Sequence, residues 1–213
     1  LKAPSTKVRL KAVELLARSG DPAAPAALVP LLADKDPVMR ASVCDAFAQM
    51  RMRSMVGSIQ PLLTDDNELV VKRATNAMAL LMVPVAVRPL DDKAEHAQLN
   101  PLLKTMTTEG LAKHPFVELK TLPPGTPGYT VMLVVQSVNV RTEGNTSIVE
   151  VVNSATVAEL PANALRFSTR ITAGAAVDGP LTPALEKELA EDAVRSAAPA
   201  LADELSAWFA AVQ

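Results

Sequence analysis

Apolar positions in the first eighty residues recur at helical spacing. Val8, Ala12, Leu15 and Leu16 stand at i, i+4, i+7 and i+8, the stripe by which one face of a helix enters a core. Met39, Val43, Ala46 and Phe47 repeat the pattern further along, and Val71, Thr75, Met78 and Ala79 repeat it once more, with one extra residue in the interval. Between these stripes, Leu28-Val29-Pro30-Leu31-Leu32-Ala33-Asp34 returns as Ile59-Gln60-Pro61-Leu62-Leu63-Thr64-Asp65, at the same offset that separates Val8 from Met39. A fixed period of about 30–50 residues marks a solenoid, whose units bury their apolar faces only by stacking on one another. Second helices are predicted over 23–33 and 54–64, each bent by an internal proline, Pro30 or Pro61, because proline removes a backbone donor. Asp21-Pro22 and Asp36-Pro37 suit helix starts, an acidic cap followed by a preset φ.

Past residue 82 the helical stripe ends. Residues 83–90 read as a short strand, 99–113 as a helix and 116–122 as a strand. A loop rich in proline and glycine, Pro123 to Gly128, precedes three long strands over 129–141, 146–160 and 165–173. In the last, Leu165, Phe167, Thr169 and Ile171 face one way and Arg166, Ser168, Arg170 and Thr172 the other, the alternation of a sheet buried on one face. Thr142-Glu143-Gly144-Asn145 suits a hairpin turn, with Gly144 at positive φ. Thr182-Pro183 caps a helical region reaching Val212, which Pro199 kinks or splits, and Trp208 and Phe209 pin it to the sheet. The fold class is therefore α+β: an α-solenoid over 1–82, then a domain over 83–213 with a mixed, mostly antiparallel sheet and flanking helices.

Composition adds limits. Apolar residues make up 49% of the 213, and only six residues are aromatic, so Ala, Val and Leu fill the core. Residues 1–85 hold 11 Lys/Arg and 8 Asp/Glu, a net of +3, while 86–213 hold 10 and 15, a net of −5. That excess is too small for the basic face that nucleic acid calls for. No apolar run is long enough to span a membrane, and no signal peptide is visible. The chain opens at Leu1 rather than Met, as expected of a chain processed or trimmed at its start.

The search for chemistry assigns no catalytic, cofactor-binding or metal-binding residue. His96 and His114 lie too far apart for the usual zinc-ligand spacing, and Cys44 is alone, mid-helix beside Val43 and Phe47. Asp91, Asp92 and Glu95 form an acidic surface loop. No phosphate-cradling or nucleophile motif occurs, and the prolines beside Gly125 and Gly128 remove the backbone donors that a cradle needs. What recurs is a basic residue after the first position of each stripe: Arg9, Arg40 and Lys72. One reading is a structural ladder pairing with inter-repeat aspartates. The other is a basic stripe that grips an acidic partner, joined by Arg51 and Arg53 from the methionine-rich segment 50–55.

Helices that open on a hydrophobic-basic pair, each followed by a second helix ending Leu-Leu-x-Asp, resemble the HEAT-like repeats of the phycobilisome-lyase type over residues 5–82. The resemblance implies a solenoid that binds a protein partner. It leaves open a nucleic-acid-binding protein using Arg9, Arg40, Arg51, Arg53, Lys72 and Arg73, or a pigment-lyase-like enzyme. Val85-Ala86-Val87-Arg88-Pro89-Leu90 and the long strands after it resemble envelope domains. These are the N-terminal domain of the translocation protein TolB, curli-export lipoproteins and lipoprotein activators of penicillin-binding proteins. That resemblance implies a periplasmic or cell-envelope protein that docks partners, with a cytoplasmic location as the alternative.

Overall fold

The computed structural model describes residues 5–90 and 96–212. The chain forms two compact units, one up to Met82 and one from Val83 to Val212.

The first unit is helical. Three long helices, Thr6–Ser19 (α1), Pro37–Gln49 (α3) and Glu68–Leu81 (α5), stack in sequence order, α3 touching both neighbours. Their caps fall at Ser5, Asp36 and Asn67, evenly spaced along the chain. Asp36 and Asn67 accept from the backbone N–H groups of Val38 and Leu69 at 3.0 Å, satisfying donors that a helix start leaves open. The intervening segments are short helices, Ala24–Leu28 (α2) and Val56–Ile59 (α4), that run into 3-10 turns over Val29–Ala33 and Gln60–Thr64. The expected bent helices are thus tightened ones. Pro30 and Pro61, near the start of each turn, cannot donate the i−4 bond, and the segment closes on i+3 bonds. Asp21 bonds the backbone N–H of Ala23 at 2.8 Å, but α2 begins one residue later, at Ala24.

Burial corrects two of the three expected stripes. In α3, Met39, Val43, Ala46 and Phe47 are all buried, as are Ala41 and Cys44, because this helix has a neighbour on each side. In α5 the buried line is Val70, Ala74, Ala77 and Leu81, one residue before the expected one. The cap at Asn67 sets the frame, so α5 is offset from α3 by the same interval that separates α3 from α1. In α1 only Val13 is fully buried, and Val8 and Leu15 are more than half exposed.

The second unit is a five-stranded sheet of order β2-β1-β3-β4-β5. Its strands are Val83–Pro89 (β1), Val117–Leu119 (β2), Gly128–Glu143 (β3), Thr146–Leu160 (β4) and Ala164–Asp178 (β5). β1 runs parallel to β2 and β3, while β3, β4 and β5 form an antiparallel meander. The helix Asn100–Leu111 (α6) links β1 to β2, and the helix Pro183–Ala211 (α7) closes the chain. The two helices pack on each other and cover one sheet face, α6 over β1 and β3 and α7 over β4 and β5. That face buries Val131, Leu133 and Val135 of β3 with Val149, Val151, Ala155 and Val157 of β4, at the two-residue spacing of a pleated strand.

Gly144 supplies the expected positive φ (+62°) between β3 and β4. β5 runs on past its predicted end to Asp178, because the small residues after Ala173 are held by pairing with β4 as far as Thr146 opposite Asp178. Leu165 is 70% exposed rather than buried. A bulge near the start of β5, opposite Val157 and Ala158, shifts its register there. α7 is continuous through Pro199 and is not split. Its end is pinned as expected. Trp208 stacks on Phe167 with ring centres 5.6 Å apart and meets Tyr129 edge-on at 5.5 Å.

Candidate interaction surface

The basic residues expected to bind a partner fall into distinct environments. Arg9 donates to Asp34 at 2.5 Å. Arg40 grips Asp65 with two nitrogens, Nε at 2.8 Å and Nη2 at 2.6 Å, and Nη2 also reaches Asp66 at 3.0 Å. Both pairs span 25 residues and join the first helix of one repeat to the aspartate that ends its second helix. The same aspartates hold the following turns, accepting from the backbone N–H of Asp36 at 2.9 Å and of Asn67 at 3.0 Å. Their pKa values are driven down. For Asp34 the backbone N–H of Asp36 is the largest cause, with Arg9 adding to it; for Asp65 it is the Arg40 hydrogen bond. The guanidinium of Arg40 is held above its ordinary value by Asp65. Arg9 and Arg40 are therefore rungs of an internal ladder.

Lys72 does not continue it. Under the offset set by the caps, the α5 residue matching Arg40 is Val71, and Lys72 is exposed with no ion pair among the described residues. Arg51 is exposed at φ +52° just past the end of α3. Its N–H bonds Ala48 O at 3.1 Å and the N–H of Met52 bonds Phe47 O at 3.0 Å, the paired bonds of a Schellman cap. Gly20 occupies the matching position after α1, at φ +69°. Arg53 is buried at the start of a 3-10 turn.

A groove of about 460 Å³ runs between α1 and α3, lined by Lys7, Leu10, Val13, Glu14, Asp45 and Ala46 among others. Asp45 lies 3.5 Å from Arg73 of α5. Burial raises the Asp45 pKa while Arg73 opposes the shift. Cys44 is fully enclosed and burial pushes its thiol up to about 12, which keeps it protonated and inert at neutral pH.

The second unit carries a cleft of about 730 Å³ bordered by Arg88, Lys104, Lys120 and Thr108. These come from β1, α6 and the segment after β2, and no spacing in the sequence announces them. Lys120 is paired with Glu118 at 2.6 Å. His114 lies 3.9 Å from Asp203 beyond the end of α6, and His96 Nε2 accepts from the backbone N–H of Val138 at 3.2 Å. Asp91, Asp92 and Glu95 lie outside the described residues. Among the described residues no cluster of metal-ligating side chains occurs, and no helix is long and apolar enough to cross a membrane.

Residues 1–80 match the family model for HEAT repeats, so the stacked helix pairs of the first unit are HEAT repeats. No curated protein matches the chain. Among solved structures, a minor lipoprotein from Acinetobacter baumannii is similar at 13% identity, over 60% of this chain and 90% of that one, with a TM-score of 0.42. The rare lipoprotein B from Shewanella oneidensis is similar at 15% identity, over 59% and 95%, with a TM-score of 0.38.

Proposed function

We propose that this protein is a non-enzymatic protein-interaction module whose HEAT repeats present the binding surface, working in the bacterial cell envelope. The observation that carries the reading is the internal ladder. Arg9 and Arg40 neutralise Asp34 and Asp65 between repeats, so these two arginines hold the helical scaffold together and leave its outer helix faces for binding. A solenoid of this kind offers an extended surface of helix faces. Nucleic acid is a poorer fit, because Arg9, Arg40 and Arg73, three of the six cations available to it, already face carboxylates. Of the five candidate residues, Arg51 and Lys72 are exposed and contact the partner. Arg9, Arg40 and Arg53 hold the scaffold. The resemblance of the Val85–Leu90 motif and the long strands behind it to envelope domains supports the envelope location.

The test is affinity capture with the full chain from separated envelope and cytosolic extracts. A parallel bait carries Arg51→Ala and Lys72→Ala, and a DNA-retention assay at low salt is run alongside. A protein captured from the envelope fraction and weakened by the double change supports the reading. Salt-sensitive DNA retention without a protein partner overturns it.

A further inference from the structure

The three long strands β3, β4 and β5 carry seven charged side chains, and five of them pair with one another. Arg141 reaches Glu143 and Glu150, and Arg166 reaches Glu159. Arg170 and Asp178, both on β5, have no ion pair among the described residues. Asp178 accepts from the Thr146 hydroxyl at 2.8 Å. Both are exposed and both point to the face of the sheet that the helices leave uncovered. They stand eight residues apart on the strand, roughly 26 Å at the rise of an extended chain. Within one molecule they cannot meet.

β5 is also the end of the sheet, paired to β4 on one side only among the described residues. The N–H of Gly179 bonds the carbonyl of Asn145 at 2.7 Å, in register with Thr146 opposite Asp178. Bonded and non-bonded pairs alternate along an antiparallel ladder. Ile171, Ala173, Ala175 and Val177 therefore turn their backbone groups to β4, while Arg170, Thr172, Gly174, Ala176 and Asp178 turn theirs to the open edge. Proteins blunt such an edge with lysine, proline or a bulge. Residues 167–178 hold no lysine and no proline, and the bulge lies before them.

We propose that β5 pairs antiparallel with β5 of a second copy of this chain, about a twofold axis at Gly174, joining two sheets into one. In that register Arg170 stands opposite Asp178 of the copy, and the twofold axis repeats the contact. The opposed residues Arg170 and Asp178, and Thr172 and Ala176, all belong to the set whose backbone groups face outward, so the ladder closes along the whole stretch. Gly174 meets itself, and no side chain crowds the axis. On the other face, half-buried Ile171 and Val177 meet across the junction, as do Ala173 and Ala175. What favours a copy over any other strand is that β5 is complementary to itself. Its unpaired cation and unpaired anion lie at equal distances on either side of Gly174, so reversing the strand exchanges them. The edge is separate from the HEAT repeats, and the module reading stands or falls without it.

The experiment is sedimentation velocity of the full chain over a concentration series. It is repeated for Arg170→Asp, for Asp178→Arg, for the two changes combined and for Thr172→Pro, each checked for unchanged far-ultraviolet circular dichroism. The natural chain is expected to dimerise reversibly. Either single reversal sets like charges against each other at both symmetry-related positions, and should weaken the dimer by about tenfold or more. The combined change restores opposite charges and should restore the dimer. Thr172→Pro removes an outward N–H while leaving the ladder to β4 intact, and should abolish pairing. A chain that stays monomeric throughout overturns the proposal. So does a dimer indifferent to the single reversals or to Thr172→Pro, or one that the combined change fails to restore. A strand from elsewhere would show the last pattern, since exchanging the two charges leaves it mismatched at both.

Discussion

Arg40 binds Asp65 through two nitrogens across 25 residues, and Arg9 binds Asp34 across the same interval. Each pair ties the first helix of a repeat to the turn that starts the next. The side chains of Arg40 and Asp65 are only 13% and 8% exposed, so solvent screens them little. Removing one partner leaves a largely desolvated charge. Arg40→Ala is expected to cost about 2 kcal/mol. A double-mutant cycle with Asp65→Ala should recover about 1–2 kcal/mol of coupling. The cycle for Arg73 and Asp45, both about half exposed, should recover under about 1 kcal/mol. Chemical denaturation followed by circular dichroism gives both numbers.

The same pairs make the first unit acid-sensitive. Asp34 and Asp65 titrate lower in the folded state than unfolded aspartate does. Their contribution is therefore complete above about pH 4 and is lost as pH falls through the depressed folded values. Melting temperature should drop on acidification below about pH 4. Asp65→Asn, less stable at neutral pH, should show a shallower drop over that range. Parallel slopes for the two proteins would remove the ladder as the cause.

Arg51 holds a left-handed conformation at the end of α3, where Gly20 serves after α1. A side chain there costs about 1–2 kcal/mol, part of which glycine returns as unfolded-state entropy. Arg51→Gly should raise stability by up to about 1 kcal/mol, and Gly20→Ala should lower it by a similar amount. Equilibrium unfolding of both variants checks the sign.

In the second unit, α6 and α7 approach closely at Gly110. A Cβ built there would stand 2.5 Å from the Cβ of Ala202. Gly110→Val should cost about 2–3 kcal/mol by overpacking, and Ala202→Gly should restore part of that loss. An unchanged melting temperature in Gly110→Val would mean that the helices separate freely.

Much of this architecture is legible in the residues. The matched prolines Pro30 and Pro61 carry the repeat, and Gly144 and the Thr182 cap mark true element ends. The third repeat slips because Val70-Val71-Lys72-Arg73 offers two hydrophobic and two basic residues in a row. Only the frame of the Asn67 cap selects Val70 as the buried position. The exposure of Val8 and Leu15 is likewise invisible in their own stripe, which matches that of α3. It depends on which helix has a neighbour on which side. The cleft beside Arg88, Lys104 and Lys120 is assembled from separate elements, so no local signal precedes it.

A photo-crosslinking residue placed at position 72 of the full chain, exposed on the repeat surface, probes the proposed interaction, with position 165, 70% exposed on the sheet unit, as the control. Irradiation in cells should trap a different protein at position 72 and not at position 165, and the adduct should weaken when Arg51→Ala is added. An adduct only at 165, or an adduct at 72 made of this chain alone, would contradict a HEAT-repeat surface that binds a protein partner.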